Sequence, residues 1–356
     1  MIKFRYRLLK YLIEDGYKVY IIAPYDEFVP KLEKLGCSCI DIKLSRKGIN
    51  PIEDLMLMYT LYKLYKNIKP DIIFNYSIKP IIYGSIASKL AGVKSIAVNI
   101  GLGYTFINKN LVTRVSHQLY KFALQFPYMI WFINEDDREE FILQKFVVKT
   151  KTLVLPSEGI DVNYFTPRVK SNSQIVFLLI ARMLKDKGIV EFYEAAKLCK
   201  KKYPNVKFQL LGNIDLENPR AISEDTLLSW DNEGIIEYLG YQEDVREFIA
   251  SASCIVLPSY REGKGMTLIE AGAMEKPLIA TDVEGCKDIV IDNYNGYLCQ
   301  VKSSESLSKS FIKFIYLQDV KKEEFGKNSR KFVKEHFDVN LVIDIYINTL
   351  KNLEKI

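Results

Sequence analysis

Short runs rich in β-branched and aromatic residues alternate along this chain with longer stretches whose apolar positions recur every three to four residues. In the first half, "YKVYIIAP" (17–24), "DIIFNYS" (71–77), "KSIAVNIG" (94–101), "MIWFIN" (129–134) and "KTLVLP" (151–156) read as strands. In the second half the same signal returns in "QIVFLLIA" (174–181), "VKFQLLG" (206–212), "IIEYLG" (235–240), "CIVLPS" (254–259) and "PLIATDV" (277–283). Apolar runs bounded by Gly, Pro or Asn and separated by amphipathic segments indicate βαβ units. The strands are apolar on both faces, as in parallel sheets covered by helices. The predicted fold class is therefore α/β.

The alternation breaks once, in "SEGIDVNYFTPRVKSNSQ" (157–174), which is polar, aperiodic and contains Pro167. A chain of 356 residues exceeds what one core usually serves, about 250–300 residues. Two doubly wound domains are expected, residues 1–160 and 161–340, with a linker in the break. The stretch "LVIDIYINTLKNLEKI" (341–356) has helical apolar spacing and reads as a closing helix that packs back across the domains. Doubly wound sheets bind ligands beyond the carboxyl ends of their strands, so a cleft between the domains is the expected site.

Composition narrows the class without naming a chemistry. No apolar run approaches the ~18–20 residues that span a bilayer, and "MIKFRYRLLK" has no uninterrupted apolar core of a signal peptide. Six cysteines lie scattered without CxxC spacing and fit reduced cytosolic thiols. With only His117 and His336 present, a zinc site assembled from distant residues is disfavoured, and no metal is expected. Charge is uneven. Residues 1–155 carry 23 Lys+Arg against 14 Asp+Glu, whereas residues 156–356 carry 27 against 30. The basic half either faces anionic lipid or an acidic substrate, or is a solvated lysine-rich surface. No nucleic-acid motif accompanies it.

Candidate chemistry concentrates in "YREGKGMTLIEAGAM" (260–274), where Glu262 and Glu270 stand with seven residues between them. "MTLIEAGAMEK" is a good helix former, so a helix is expected to start near Lys264 to Met266. Helical rise alone would separate the two backbones by roughly 12 Å. Glycosidase carboxylate pairs sit about 5–5.5 or 6.5–9.5 Å apart, which favours two separate contacts along one ligand. The free N–H groups and dipole of the helix start suit a diphosphate. Gly263 and Gly265 let the backbone approach it, and Glu270, one turn in, is placed to accept from ribose hydroxyls. A second motif, "IARMLKDKGIVEFYEAA" (180–196), sets Arg182 and Lys187 in the loop after a buried strand, with Gly188 opening a helix. Two cations there suit a diphosphate, or are surface charges.

Together "ARMLKDKG", "EGKGMTLIEAGAMEKP", "TDVEGCKDIV" and "NGYL" resemble the second domain of retaining nucleotide-sugar glycosyltransferases of family 4. That family has two facing Rossmann-like domains, the GT-B architecture, and the spaced Glu pair is its E-x7-E signature. "EGIDVNYFTP" is similar to its interdomain segment. "NIGLGYTF" (99–106) and "WFINEDDREEF" (131–141) resemble bacterial members that add amino sugars to polyprenyl-diphosphate-linked oligosaccharides, N-acetylgalactosaminyltransferases among them. The likeness covers nearly the whole chain.

The resemblance implies a UDP-sugar donor and a lipid-linked or polysaccharide-precursor saccharide acceptor. It implies that Arg182 and Lys187 neutralise the diphosphate leaving group and that Glu262 contacts the transferred sugar. Glu270 would bind ribose, with Gly263, Lys264 and Gly265 holding phosphate and sugar through backbone amides. The first domain would bind acceptor, with Asn99, Gly101 and Gly103 on an acceptor-side loop. No metal or other cofactor is implied. Localisation would be cytoplasmic and peripheral, on the anionic inner face of the bacterial plasma membrane. The Lys264 side chain has two readings, a third phosphate contact or a group facing water.

Two departures from the family pattern stand out. Many members carry a histidine at the end of a first-domain strand, where "VNIG" here has Asn99. Members also open with a strand and loop before "FR", whereas "IKFRYRLLKYL" matches from "FR" onward. That difference reads as a start codon assigned too late or a truncated product, and an upstream extension is expected to improve solubility or activity. Smaller features have plain readings. His117 is structural or surface-exposed, "NEDDREE" (134–140) is an Asn-capped acidic helix start, and "LMLMYTLYKLYKNIK" (55–69) is a core-packed helix or a membrane-surface one. Two alternatives to a transferase are a nucleotide-sugar epimerase and a non-catalytic nucleotide-sugar-binding protein. The first would want cleft acid/base residues that this histidine-poor chain does not offer.

Overall fold

Among the described residues every strand pairs with its neighbours in parallel, as the doubly apolar runs predict. The computed structural model describes residues 2–45, 50–101, 111–168 and 174–354. They form two units, Met1–Glu158 with Val342–Ile356, and Gly159–Leu341.

The first unit runs α1 (Ile2–Glu14), β1 (Tyr20–Ala23), α2 (Val29–Leu35), β2 (Ser38–Asp41), α3 (Pro51–Ile68) and β3 (Ile72–Tyr76). A π-helical turn at Pro80–Gly84 leads into α4 (Ser85–Ala91), β4 (Lys94–Asn99), α5 (Leu111–Ala123), β5 (Met129–Phe132), α6 (Glu135–Leu143) and β6 (Thr152–Val154). β1 and β2 form one sheet, and β3-β4-β5-β6 form another. Buried Ala97, Ile130 and Phe132 of the larger sheet pack under Ile81, Ile82, Tyr120 and Phe141. The acidic run at α6 is a helix start. Asn134 Oδ1 accepts from the Asp137 amide at 2.7 Å, and the acids of the first turn sit at the positive end of the dipole. His117 packs edge-on against Phe146.

The last helix of the chain starts in one unit and ends in the other. Its residues Val342, Ile343, Tyr346, Ile347 and Leu350 are buried, as the helical spacing predicts. The Tyr346 ring meets Trp131 at 4.8 Å and Phe74 at 5.0 Å, and its hydroxyl lies 2.7 Å from that of Tyr76. The Arg5 guanidinium stacks 4.0 Å from the Tyr76 ring centre and pairs with Glu158 at 2.6 Å. This buried charge is thus both paired and hydrogen-bonded, which is what burial demands.

The second unit runs β7 (Val176–Ile180), α7 (Ile189–Lys200), β8 (Lys207–Leu211), α8 (Glu224–Asn232), β9 (Glu237–Tyr238), α9 (Arg246–Ser251) and β10 (Cys254–Leu257). It continues through α10 (Met266–Ala273), β11 (Leu278–Thr281), β12 (Gly296–Cys299), α11 (Ser304–Tyr316), α12 (Asp319–His336) and the start of α13 (Val339–Glu354). Its six strands lie in the order β12-β11-β10-β7-β8-β9. One face of the sheet buries an aromatic cluster of Phe177, Phe192, Phe208 and Phe311; the other packs α9, α10 and α12.

The structure differs from the sequence expectation in two places. β2 (Ser38–Asp41) and β12 (Gly296–Cys299) are not expected from the sequence, because each holds only two or three apolar residues and lies outside any longer β-branched or aromatic run. Within the polar break, the described residues 157–168 are built into the fold. Its Ile160, Val162 and Phe165 are buried in the second unit's core, and Arg330 donates to the carbonyls of Phe165 and Val162. Isolated apolar residues among polar ones are invisible to periodicity, so only packing exposes their role.

Candidate active site

The strand order of the second unit reverses between β7 and β10, which are direct neighbours. This is the switch point where doubly wound sheets open a crevice beyond the strand ends. The loops leaving β7 and β10 are those that carry the two sequence motifs.

The loop after β7 is anchored on both sides. Met183 N–H donates to Asn213 O at 3.0 Å, and Lys185 N–H to Arg220 O at 2.9 Å. Arg182 extends outward, 55% exposed, with Asp215 Oδ2 at 3.4 Å. That long contact with an exposed acid leaves most of its charge directed to solvent. Lys187 turns inward, and Gly188 follows at φ +71° as the cap of α7. A Cβ on Gly188 would lie 2.1 Å from Pro258 O, so the two loops touch backbone to backbone there.

Lys187 and Glu262 meet across these loops. Lys187 Nζ donates to Glu262 Oε1 at 2.5 Å, and Ser259 Oγ donates to the same oxygen at 2.6 Å. The Glu262 side chain is 12% exposed, so the pair is largely screened from water. Thr281 Oγ1, at the end of β11, donates to Ser259 O and braces the loop from below. Burial pushes the thiol of neighbouring Cys286 up, reinforced by the Glu262 charge, so it stays a neutral packing group.

The helix between the two glutamates begins at Met266, within the range expected from sequence. Thr267 Oγ1 ties its first turn to Ile180 O, at the end of β7. Glu270 lies one turn in and is 2% exposed. The backbone around the helix start is partly committed. Gly265 N–H donates to Gly285 O at 2.9 Å, so this amide, expected to face phosphate, is engaged by the 282–290 loop. The Lys264 ammonium does not face water, against one of its two readings. It is 8% exposed, pairs with Asp288 at 2.7 Å and lies 5.6 Å from the Phe337 ring centre. Gly263 lies between Glu262 and Lys264 in the same loop.

The remaining candidates lie in the first unit. Asn99 ends β4, is buried, and accepts the Gly101 N–H at 3.1 Å through Oδ1. Gly103 lies outside the described residues. Among the described residues no group of three or more His, Cys, Asp or Glu is placed to hold a metal ion.

Sequence reasoning passed over Ser259, Thr281, Asp215 and Asp288, the residues that hold Glu262, Arg182 and Lys264 in place. Ser259 stands three residues before Glu262 in the same loop and was within reach of local reading. Thr281 ends β11 and Asp215 and Asp288 lie in two other loops, all distant in sequence from the side chains they hold, and no local pattern points to them.

Residues 163–332 match the family model described as Glycosyl transferases group 1, and residues 3–134 match that described as Glycosyl transferase 4-like. The chain is 32% identical over 373 residues to an N,N'-diacetylbacillosaminyl-diphospho-undecaprenol alpha-1,3-N-acetylgalactosaminyltransferase of Campylobacter jejuni, covering 98% of this chain and 96% of that one. It is 26% identical to a UDP-Gal:alpha-D-GlcNAc-diphosphoundecaprenol alpha-1,3-galactosyltransferase of Escherichia coli, covering 86% and 82%. Among solved structures, a glycosyltransferase from Rickettsia africae superposes with TM-score 0.77 at 19% identity, covering 99% of this chain and 94% of that one. Anabaena HepE in complex with UDP-glucose superposes with TM-score 0.79 at 18% identity, covering 98% and 96%. At such identities the structural likeness establishes the fold.

Proposed function

The chain belongs to the group 1, family-4-like glycosyltransferases of GT-B fold, and from that footing we propose that it moves an N-acetylated amino sugar from a UDP-sugar to a lipid-linked saccharide, with retention at the anomeric carbon. The observation that carries this reading is the Lys187–Glu262 pair at the switch point of the second unit, with Arg182 and the α10 start on the same two loops. Support for the donor class comes from the UDP-glucose in the HepE structure. Support for the acceptor class comes from the undecaprenol-linked acceptors in the names of the two relatives.

Transfer requires the bond from the anomeric carbon to the UDP phosphate oxygen to break while a bond to the acceptor oxygen forms. The acceptor attacks from the face that UDP leaves, and its proton passes to the departing phosphate. Negative charge grows on that phosphate, so pre-placed cations lower the barrier more than they stabilise the ground state. Arg182 offers a charge open to solvent, and Lys187 one already oriented by Glu262. With its two donors Glu262 is held in one geometry, ready to contact the transferred sugar. Glu270 contacts the ribose. On this reading the two cations and the helix dipole do the work a metal would do elsewhere.

The test is to incubate the purified chain with labelled UDP-sugars and bacterial membrane lipid extract, with and without excess EDTA. Label in the lipid fraction under both conditions is the expected result. Epimerised free donor without transfer would support an epimerase, and UDP binding without turnover a non-catalytic protein; either outcome overturns the proposal.

A further inference from the structure

We propose that Lys264 and Asp288 are positioning residues for sugar transfer, an ion pair that fixes the turn into α10 so that the Lys264 amide faces the transferred sugar beside Glu262. The proposal rests on the preceding reading of the reaction. Its own evidence is the packing of two loops within the second unit.

Lys264 stands two residues before the start of α10. The positive end of a helix dipole disfavours a cation there, and a long charged side chain normally extends its head to water. Lys264 does the opposite. Its side chain is 8% exposed, its ammonium meets Asp288 Oδ2 at 2.7 Å, and the Phe337 ring centre lies 5.6 Å away. A charge withdrawn from water in this way depends on its partner staying in place.

Asp288 stands on a fixed base. Val283, Cys286, Ile289 and Val290 of the same loop are buried in the core, and the Cys286 carbonyl accepts from the Ile289 and Val290 amides at 3.0 Å. The loop also grips the segment around Lys264 backbone to backbone. Gly265 N–H donates to Gly285 O at 2.9 Å, and a Cβ on Gly285, at φ +74°, would lie 2.6 Å from Glu262 O.

These ties set the turn. Met266 N–H donates to Lys264 O at 2.8 Å, and Gly265 has φ −72° and ψ 72°, the geometry of an inverse γ-turn. The Gly265 and Met266 amides are therefore engaged. The Lys264 N–H meets no acceptor among the described residues. Lys264 is tied through its side chain to Asp288 and through its carbonyl to Met266, so the direction of its free amide is set. A pre-aimed donor at a helix start, next to the Glu262 carboxylate, suits a sugar hydroxyl.

The test compares Asp288→Asn, Asp288→Glu, Lys264→Met and Lys264→Met/Asp288→Leu with the parent. The donor is UDP-N-acetylgalactosamine or UDP-N-acetylglucosamine, whichever the parent binds more tightly. Transfer to membrane lipid extract, calorimetry of UDP and of donor, and urea denaturation are measured on each. Asp288→Asn and Lys264→Met should lower kcat/KM for the donor by about 10²-fold, with UDP affinity within about twofold of the parent. Asp288→Glu should regain most of that loss, because the charge returns. The double variant replaces the pair by apolar groups, so it should unfold near the parent's urea midpoint and still transfer slowly. Full turnover in both single variants, or no rescue by Asp288→Glu, overturns the proposal. So does a matching loss of UDP affinity, or recovered turnover in the double variant, since either makes the pair merely structural. A parent that binds donor but transfers nothing sinks the functional reading alone; the pair is then read from donor affinity relative to UDP, which the single variants should lower about tenfold. A parent that binds neither donor overturns both.

Discussion

Lys187 Nζ and Glu262 Oε1 lie 2.5 Å apart although 75 positions separate them in the chain, and Ser259 holds the same carboxylate from the other side. The pair presents one cation and one carboxylate at a fixed spacing, largely out of water. Glu262→Gln keeps the volume and removes the charge that orients Lys187. Turnover should fall by about 10²–10³-fold while UDP affinity changes little. A transfer assay alongside UDP calorimetry checks this. Undiminished turnover would take Glu262 out of the chemistry.

Arg182 differs from Lys187 in being exposed and only loosely met by Asp215. Its value lies in the transition state, where phosphate charge develops. Arg182→Ala should lower kcat by on the order of 10²-fold, and Arg182→Lys should restore part of it, because charge returns without the planar fork. Full turnover by the alanine variant would remove the leaving-group role.

Glu270 is buried in the first turns of α10. If it accepts from ribose hydroxyls, Glu270→Ala should weaken binding of UDP itself by about 1–3 kcal/mol, and Glu270→Gln by less. Unchanged affinity for UDP in the alanine variant would refute the ribose contact, whatever happens to turnover.

Gly188 combines φ +71° with a would-be Cβ only 2.1 Å from Pro258 O. Gly234 has a similar φ of +68° and open space around its would-be Cβ. Gly188→Ala should therefore cost on the order of 3 kcal/mol or more, and Gly234→Ala about 1. Urea denaturation of the two variants separates strain from collision. Equal losses would mean that the loops do not touch as described.

Lys276 donates to Ala250 O at 2.7 Å and Ala252 O at 2.9 Å, and burial lowers its pKa from 10.5 to about 8. Between those values the unfolded chain binds the proton and the folded one does not. The stability of the parent relative to Lys276→Met should thus rise as pH increases from about 8 to 10.5, by on the order of 2 kcal/mol. Denaturation midpoints measured across that range check the sign, and a flat or falling difference would contradict it.

Local signals explain how much of the molecule was legible beforehand. A long continuous apolar run announced β7, shorter β-branched and aromatic runs bounded by Gly, Pro or Asn announced β3, β4 and β8, and the Asn134 cap announced α6. Arg182, Lys187, Glu262 and the start of α10 could be picked out because each sits in a loop directly after a strong strand. Periodicity reports what a segment prefers, and capping and turn chemistry report where it stops; both act over a few residues.

The sequence by itself therefore determined the parallel α/β architecture and the two charged loops of the second unit. Only the tertiary structure decided that these loops meet, since their contact depends on β10 pairing with β7, a choice of sheet order that neither strand encodes alone. It likewise gave Lys264 to Asp288 and the Gly265 amide to Gly285, through a loop twenty residues onward. For α3, a helix with apolar residues on every side, the sequence left open which face is buried. Packing against Ile42 and Ala87 took one face, and the other was left to water, because burial is decided by what a segment meets.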